Sequence, residues 1–152
     1  MAYTTAEGRR QLLEGLAAAA DEFAVAVAAL TEVYEQLDER TADRLEEDLF
    51  RPVQGAYGRA KRTYTEFAGR YGLDARELTA PAAGAPARGV QGLIERAVER
   101  AAAADAEIAE LQDSMLPVEV GDTELREALG AVRTMLANVR PAARELIRTF
   151  GR

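Results

Sequence analysis

From Leu13 to Leu37 the apolar residues recur at alternating steps of three and four: Leu13, Leu16, Ala20, Phe23, Val27, Leu30, Tyr34, Leu37. On an α-helix that spacing gathers them into one stripe, and such a stripe is stable only when other helices cover it. The first predicted helix therefore spans about residues 5–37. Thr4 and Glu7 stand at capping-box spacing at its start. Some 33 residues at a rise of ~1.5 Å make a rod of roughly 50 Å.

Three further stripes of similar length follow. Residues 38–44 hold one apolar residue, Ala42, and read as a polar turn with Thr41 capping the next helix. The second predicted helix covers 41–71, with Leu45, Leu49, Val53, Ala56 or Tyr57, Ala60, Tyr64, Phe67 and Tyr71 inward. Gly72 ends it. Pro52 lies within it and predicts a kink, because its ring crowds the carbonyl of Asp48. Residues 73–86 form the linker. Asp74 and Glu77 make a capping box, and Leu73 and Leu78 a staple, so one helical turn is expected there.

The third predicted helix covers 87–116, opening after Pro86 and ended by Pro117. Its stripe is Val90, Ile94, Ala97, Ala101, Ala104, Ile108, Leu111, Met115. Asp122 caps the fourth, 123–150, with Leu125, Leu129, Val132, Leu136, Val139, Ala143, Leu146 and Phe150 inward. Pro141 predicts a second kink. The prediction is an all-α single domain, an antiparallel up-down-up-down four-helix bundle. A ferritin-like crossover along the bundle is the alternative topology, since 14 extended residues reach roughly 50 Å.

Charge depends on which topology holds. In the up-down-up-down order, residues 21–57 and 104–136 share one end with a net charge of −13, and the rest carries +6. With a crossover the two ends come out at −4 and −3, and the polarity vanishes.

Several chemistries are excluded by residue type. The chain has no histidine and no cysteine. Histidine-ligated haem and a zinc site of nitrogen and sulfur ligands therefore cannot form. The Glu-x-x-His pairs of a di-metal carboxylate bundle are missing too. Ser114 is the only serine and has no histidine to activate it. The acids from Glu35 to Asp48 lack the glycine and alternating Asp/Asn of a calcium loop, and read as a solvated face. No catalytic residue, cofactor or metal is assigned. The overall charge of −7 argues against nucleic-acid binding. No apolar run is long enough to span a bilayer, and residues 1–7 show no basic or apolar leader pattern. A cytoplasmic location is expected.

Two candidate surfaces remain. Arg59, Lys61 and Arg62, with Arg140, Arg144 and Arg148, would form one basic patch for an anionic partner if helices two and four end together. At mid-height all four helices carry small residues, including Ala17–Ala20, Gly55, Ala56, Ala101–Ala104 and Ala137. That level could be a pocket for an apolar ligand walled by Phe23, Pro52, Ala56, Tyr57, Tyr64, Leu136 and Pro141, or simply a place of close approach. The leading expectation is a non-enzymatic bundle acting through protein–protein interaction, including self-association of oppositely charged ends. The apolar-ligand bundle is second, and a carboxylate enzyme last.

Overall fold

The computed structural model describes residues 5–78, 89–120 and 122–150. Among these the chain is all-helical. α1 runs Thr5–Gln36, α2 Glu39–Leu45, α3 Arg51–Tyr71, α4 Val90–Asp113, α5 Leu116–Val120, α6 Thr123–Leu136 and α7 Val139–Phe150, with one π-helical turn, Glu46–Phe50, joining α2 to α3. The proposed caps at Thr4 and Pro86 and the linker beyond Leu78 lie outside the described residues. No helix among the described residues is long and apolar enough to cross a membrane.

The polar turn after α1 is real but starts earlier than expected. Asp38, not Thr41, is the N-cap: its carboxylate accepts from the N–H of Thr41 at 2.9 Å. That bond and the Thr41 hydroxyl hold the Asp38 carboxyl below its ordinary pKa. A carboxylate accepts more strongly than a hydroxyl, and an extended Asp38 (ψ 164°) is free to turn onto the helix start.

The two internal prolines are accommodated differently. Before Pro52 the backbone widens into the π turn, with Arg51 N–H reaching Glu46 O, so residues 39–71 continue as one helical rod. An extra residue in the turn moves the chain past the carbonyl the ring would strike. Around Pro141 the helix instead breaks. α6 ends at Leu136 and Ala137 N–H falls back on Thr134 O at 3.2 Å. α7 restarts at Val139, where Pro141 occupies the first turn. Pro117 likewise does not end α4. α4 stops at Asp113, Met115 follows in the left-handed region (φ 66°), and Pro117 is buried in the first turn of α5.

The buried seams match the predicted stripes closely in α3, α4 and α6–α7, except that Met115, expected inward, lies beyond the end of α4 and is exposed. The choice between Ala56 and Tyr57 goes to Ala56, which is fully buried. In α1 the seam is widened. Leu13, Leu16, Ala20, Phe23 and Leu30 are buried as expected, but they are joined by Leu12, Ala19, Ala26 and Val33, and Tyr34 is exposed. α1 is packed by both α3 and α4, so its buried face is wider than a two-helix stripe.

Two apolar clusters define the packing. One joins the start of α1 (Leu12, Leu16, Phe23), the end of α3 (Tyr64, Phe67), the end of α4 (Ile108, Leu111) and α6 (Leu125, Leu129). The other joins the end of α1 (Leu30, Val33), Leu45, Leu49 and Val53, the start of α4 (Leu93, Ile94) and α7 (Val139, Leu146). α4 therefore runs antiparallel to α1, and α6–α7 antiparallel to α3. An up-down-up-down order would instead put the start of α4 beside the start of α1. Residues 73–78 are not the expected helical turn. They lie along the rods. Arg76 N–H donates to the Tyr64 hydroxyl at 2.8 Å, and its guanidinium pairs with Asp21 on α1 at 2.6 Å. Leu73 and Leu78 pack on the first cluster instead of stapling each other. A capping box is worth about 1 kcal/mol, and the partial burial of Leu73 and Leu78, at about 25 cal/mol per Å² of apolar surface removed from water, competes with it.

Candidate functional site

Three polar groups converge on Asp122. Its Oδ1 accepts from Leu125 N–H at 2.8 Å, capping α6. Its Oδ2 accepts from Arg70 Nε and Nη2 at 3.1 and 2.8 Å and from the Tyr71 hydroxyl at 2.8 Å. The Asp122 side chain is 3% exposed. Burial pushes its carboxyl pKa up, but the Leu125 N–H, the Arg70 guanidinium and the Tyr71 hydroxyl outweigh that and leave it below the ordinary value. Tyr71 is pushed up, first by donating to Asp122 and then by burial. Arg9 stacks on the Tyr71 ring with its carbon 4.0 Å from the centroid. Both carboxylate oxygens are engaged from within the chain, so the cluster is a structural latch between the end of α3 and the start of α6.

A second feature is open. Where α6 breaks from α7, a groove of about 660 Å³ lies against α4. Val98, Ala101 and Ala102 form its α4 wall, and Leu136, Ala137, Val139 and Pro141 form the facing wall. Asp105, Arg133, Thr134 and Arg140 supply its polar atoms. The sequence explains the space. Three lining positions are alanine, and Pro141 prevents α6 from continuing straight across α4. Arg133 is bound at the rim, Nε to Asp105 at 2.9 Å and Nη1 to Gln112 at 3.0 Å. The Thr134 hydroxyl donates to Gly130 O at 3.0 Å.

The expected pocket residues divide. Leu136 and Pro141 line the groove. Phe23, Ala56 and Tyr64 do not; they are sealed in the first cluster. Tyr57 packs against the outside of that cluster under the Lys61 ammonium, 4.2 Å from the ring centroid, and its pKa is raised by burial and by Asp21. Pro52 is partly buried beside the π turn. Small residues on α1 and α3 thus allow close approach, while those on α4 and at the α6–α7 break leave space.

The expected basic patch is not brought together. Arg59, Lys61 and Arg62 sit on α3 between residues of the first cluster. Arg140, Arg144 and Arg148 sit on α7 among residues of the second. With α3 and α7 antiparallel, the two triplets occupy opposite halves of the molecule. Arg148 is also paired with Glu145 at 2.7 Å.

Sequence reasoning missed the latch and half of the groove. Asp122 was legible as a cap, and Arg70 with Tyr71 as the last turn before Gly72, but only the observed helix order makes them neighbours. The lining residues Val98, Asp105 and Arg133 gave no pattern that pointed outward to a common space. No family model, curated protein or solved structure matches this chain.

Proposed function

We propose that this chain is a four-helix bundle of up-down-down-up, ferritin-like connectivity that binds a small, largely apolar ligand in the groove between α4 and the α6–α7 break. It acts in the cytoplasm by binding rather than by catalysis. The observation that carries the reading is the groove itself. Its volume falls within the roughly 300–1,000 Å³ of small-molecule sites, its walls are mainly aliphatic, and it opens at a helix break that costs backbone hydrogen bonds. The reading of a binder over an enzyme is supported by the residue types in the groove. Its hydroxyl, on Thr134, is hydrogen-bonded to its own helix, and no histidine or cysteine exists in the chain to act as base or nucleophile. In this connectivity the two ends carry −4 and −3, so the reading does not rest on association of oppositely charged ends.

The connectivity is tested by distance. Nitroxides on cysteines replacing exposed Glu35 and Gln91 are expected within roughly 20 Å of each other, since α1 ends where α4 begins. An up-down-up-down chain would separate them by about 40 Å along the axis. The absence of native cysteine keeps the labelling clean.

Ligand binding is tested by titrating the ¹⁵N-labelled protein with 1-octanol. Amide shifts centred on Ala101, Ala102, Leu136 and Ala137, abolished by Ala102→Phe, are the expected result. If neither a neutral nor a charged eight-carbon probe shifts these amides, the groove is not a binding site.

A further inference from the structure

The charges lining the groove say more about its ligand than its volume does, and they bear on the ligand only if the groove is a binding site, as proposed. Two arginines and one aspartate line it. Arg133 is committed at all three of its nitrogens, Nε and Nη2 to Asp105 and Nη1 to Gln112, and Asp105 is neutralised by the same pair. Arg140 differs. It lines the groove beside Val139 and Pro141, and it makes no ion pair or side-chain hydrogen bond with any described residue. Its neighbour Pro141 has no N–H to offer, and the Thr134 hydroxyl is turned back onto Gly130 O. The groove thus presents an aliphatic wall and one uncommitted guanidinium at its edge, with a net lining charge of +1.

A guanidinium holds a carboxylate through two parallel N–H···O bonds, which fixes orientation as well as charge. We propose that the ligand is an amphipathic organic carboxylate, its apolar body lying on Val98, Ala101, Leu136 and Val139 and its carboxylate held by Arg140. Arg133, locked to Asp105, shapes the rim and does not contact the head group. Arg140 is exposed, so the apolar body supplies the desolvated part of the site and the arginine sets which head group is accepted. A neutral molecule of the same body would bind more weakly, and an ammonium more weakly still.

The test uses three probes with one body: octanoate, 1-octanol and octylammonium, each titrated into the full ¹⁵N-labelled chain at low salt. The inference expects octanoate to bind at the groove at least about ten-fold more tightly than octanol, with octylammonium weakest. Arg140→Gln should lower octanoate to the level of octanol, whereas Arg144→Gln, one turn further along α7 and outside the lining, should leave the ratio unchanged. Octanol and octanoate binding equally at the groove would overturn the carboxylate assignment while leaving the ligand site standing. An octanoate preference that survives Arg140→Gln would overturn the role of Arg140. No probe shifting the groove amides would remove both the inference and the binding site beneath it. Both substitutions are at exposed positions, and unchanged circular dichroism verifies that each variant is folded.

Discussion

Asp122→Ala is expected to destabilise the protein by roughly 2–4 kcal/mol, the largest effect of any polar substitution. Three losses combine. The α6 N-cap disappears, which alone costs about 1 kcal/mol. The Arg70 guanidinium, with its side chain 28% exposed, loses its main counter-charge and keeps only Glu124 at 3.0 Å. The Tyr71 hydroxyl, packed under Arg9, loses its acceptor. Breaking a buried pair from one side is costly because the remaining group stays desolvated. Asp122→Asn separates these contributions, since asparagine also caps. It should recover about 1 kcal/mol of the loss. Chemical denaturation of the three proteins measures this, and a loss under about 1 kcal/mol for the alanine variant, no more than the cap alone, would show that the latch is not holding α3 to α6.

The same site sets a pH dependence. The folded Asp122 carboxyl lies below its ordinary pKa. Its contribution is therefore complete above the unfolded value near ~3.9 and is lost as pH falls through the folded value. The stability gap between wild type and Asp122→Asn should be flat from neutral pH down to about pH 5 and should close in the acid range. Tyr71 works in the opposite direction. Its pKa is raised, so its contribution is complete below the unfolded value near ~10 and is lost as pH rises through the folded one.

Phe23→Ala is expected to cost about 3–5 kcal/mol, as for other fully buried aromatic residues truncated in a close-packed core. Phe23 has no exposed surface and lies among Leu16, Ala60 and the other members of the first cluster. This substitution decides between two pictures of mid-height. If Phe23 walled an open pocket, shortening it would cost under about 1 kcal/mol, because the removed ring would already face empty space or water. In the close-packed arrangement it leaves a cavity whose lining cannot fully collapse. Denaturant midpoints at constant slope give the answer, with Phe23→Leu as a milder control. The groove amides should respond to octanol in Phe23→Leu as in wild type, since Phe23 does not line that space.

Much of the local structure was legible from residue order. The four rods, the break near residue 37, Gly72 as a left-handed terminator (φ 61°), Asp122 as a cap and the apolar faces of α3 and α4 all follow from periodicity and capping. Those signals act within a turn or two, so a short window contains them. The errors at this level were also local. Asp38 took the cap from Thr41, and Pro52 was absorbed by a π turn where Pro141 broke its helix.

Which rods meet, and in which direction, was beyond periodicity. A heptad stripe reads the same from either end, so four such stripes fit a parallel or an antiparallel partner equally well. Side-chain shape and the linker decided it. Gly15 leaves room for Leu111, whose Cδ2 would sit 2.5 Å from an added Cβ, and Gly8 faces Leu116 and Val120. Arg76 ties the linker along the rods through Tyr64 and Asp21. Arg70 finds Asp122 only because α3 ends where α6 begins. The packing separated the two arginine triplets along the molecule and left the open space between α4 and the α6–α7 break. The rods and their faces follow from residue order, because hydrogen bonds and rotamers along a helix are set by near neighbours. The tertiary structure alone decided the site, because its lining comes from α4 and the α6–α7 break, segments about thirty residues apart that only packing brings together.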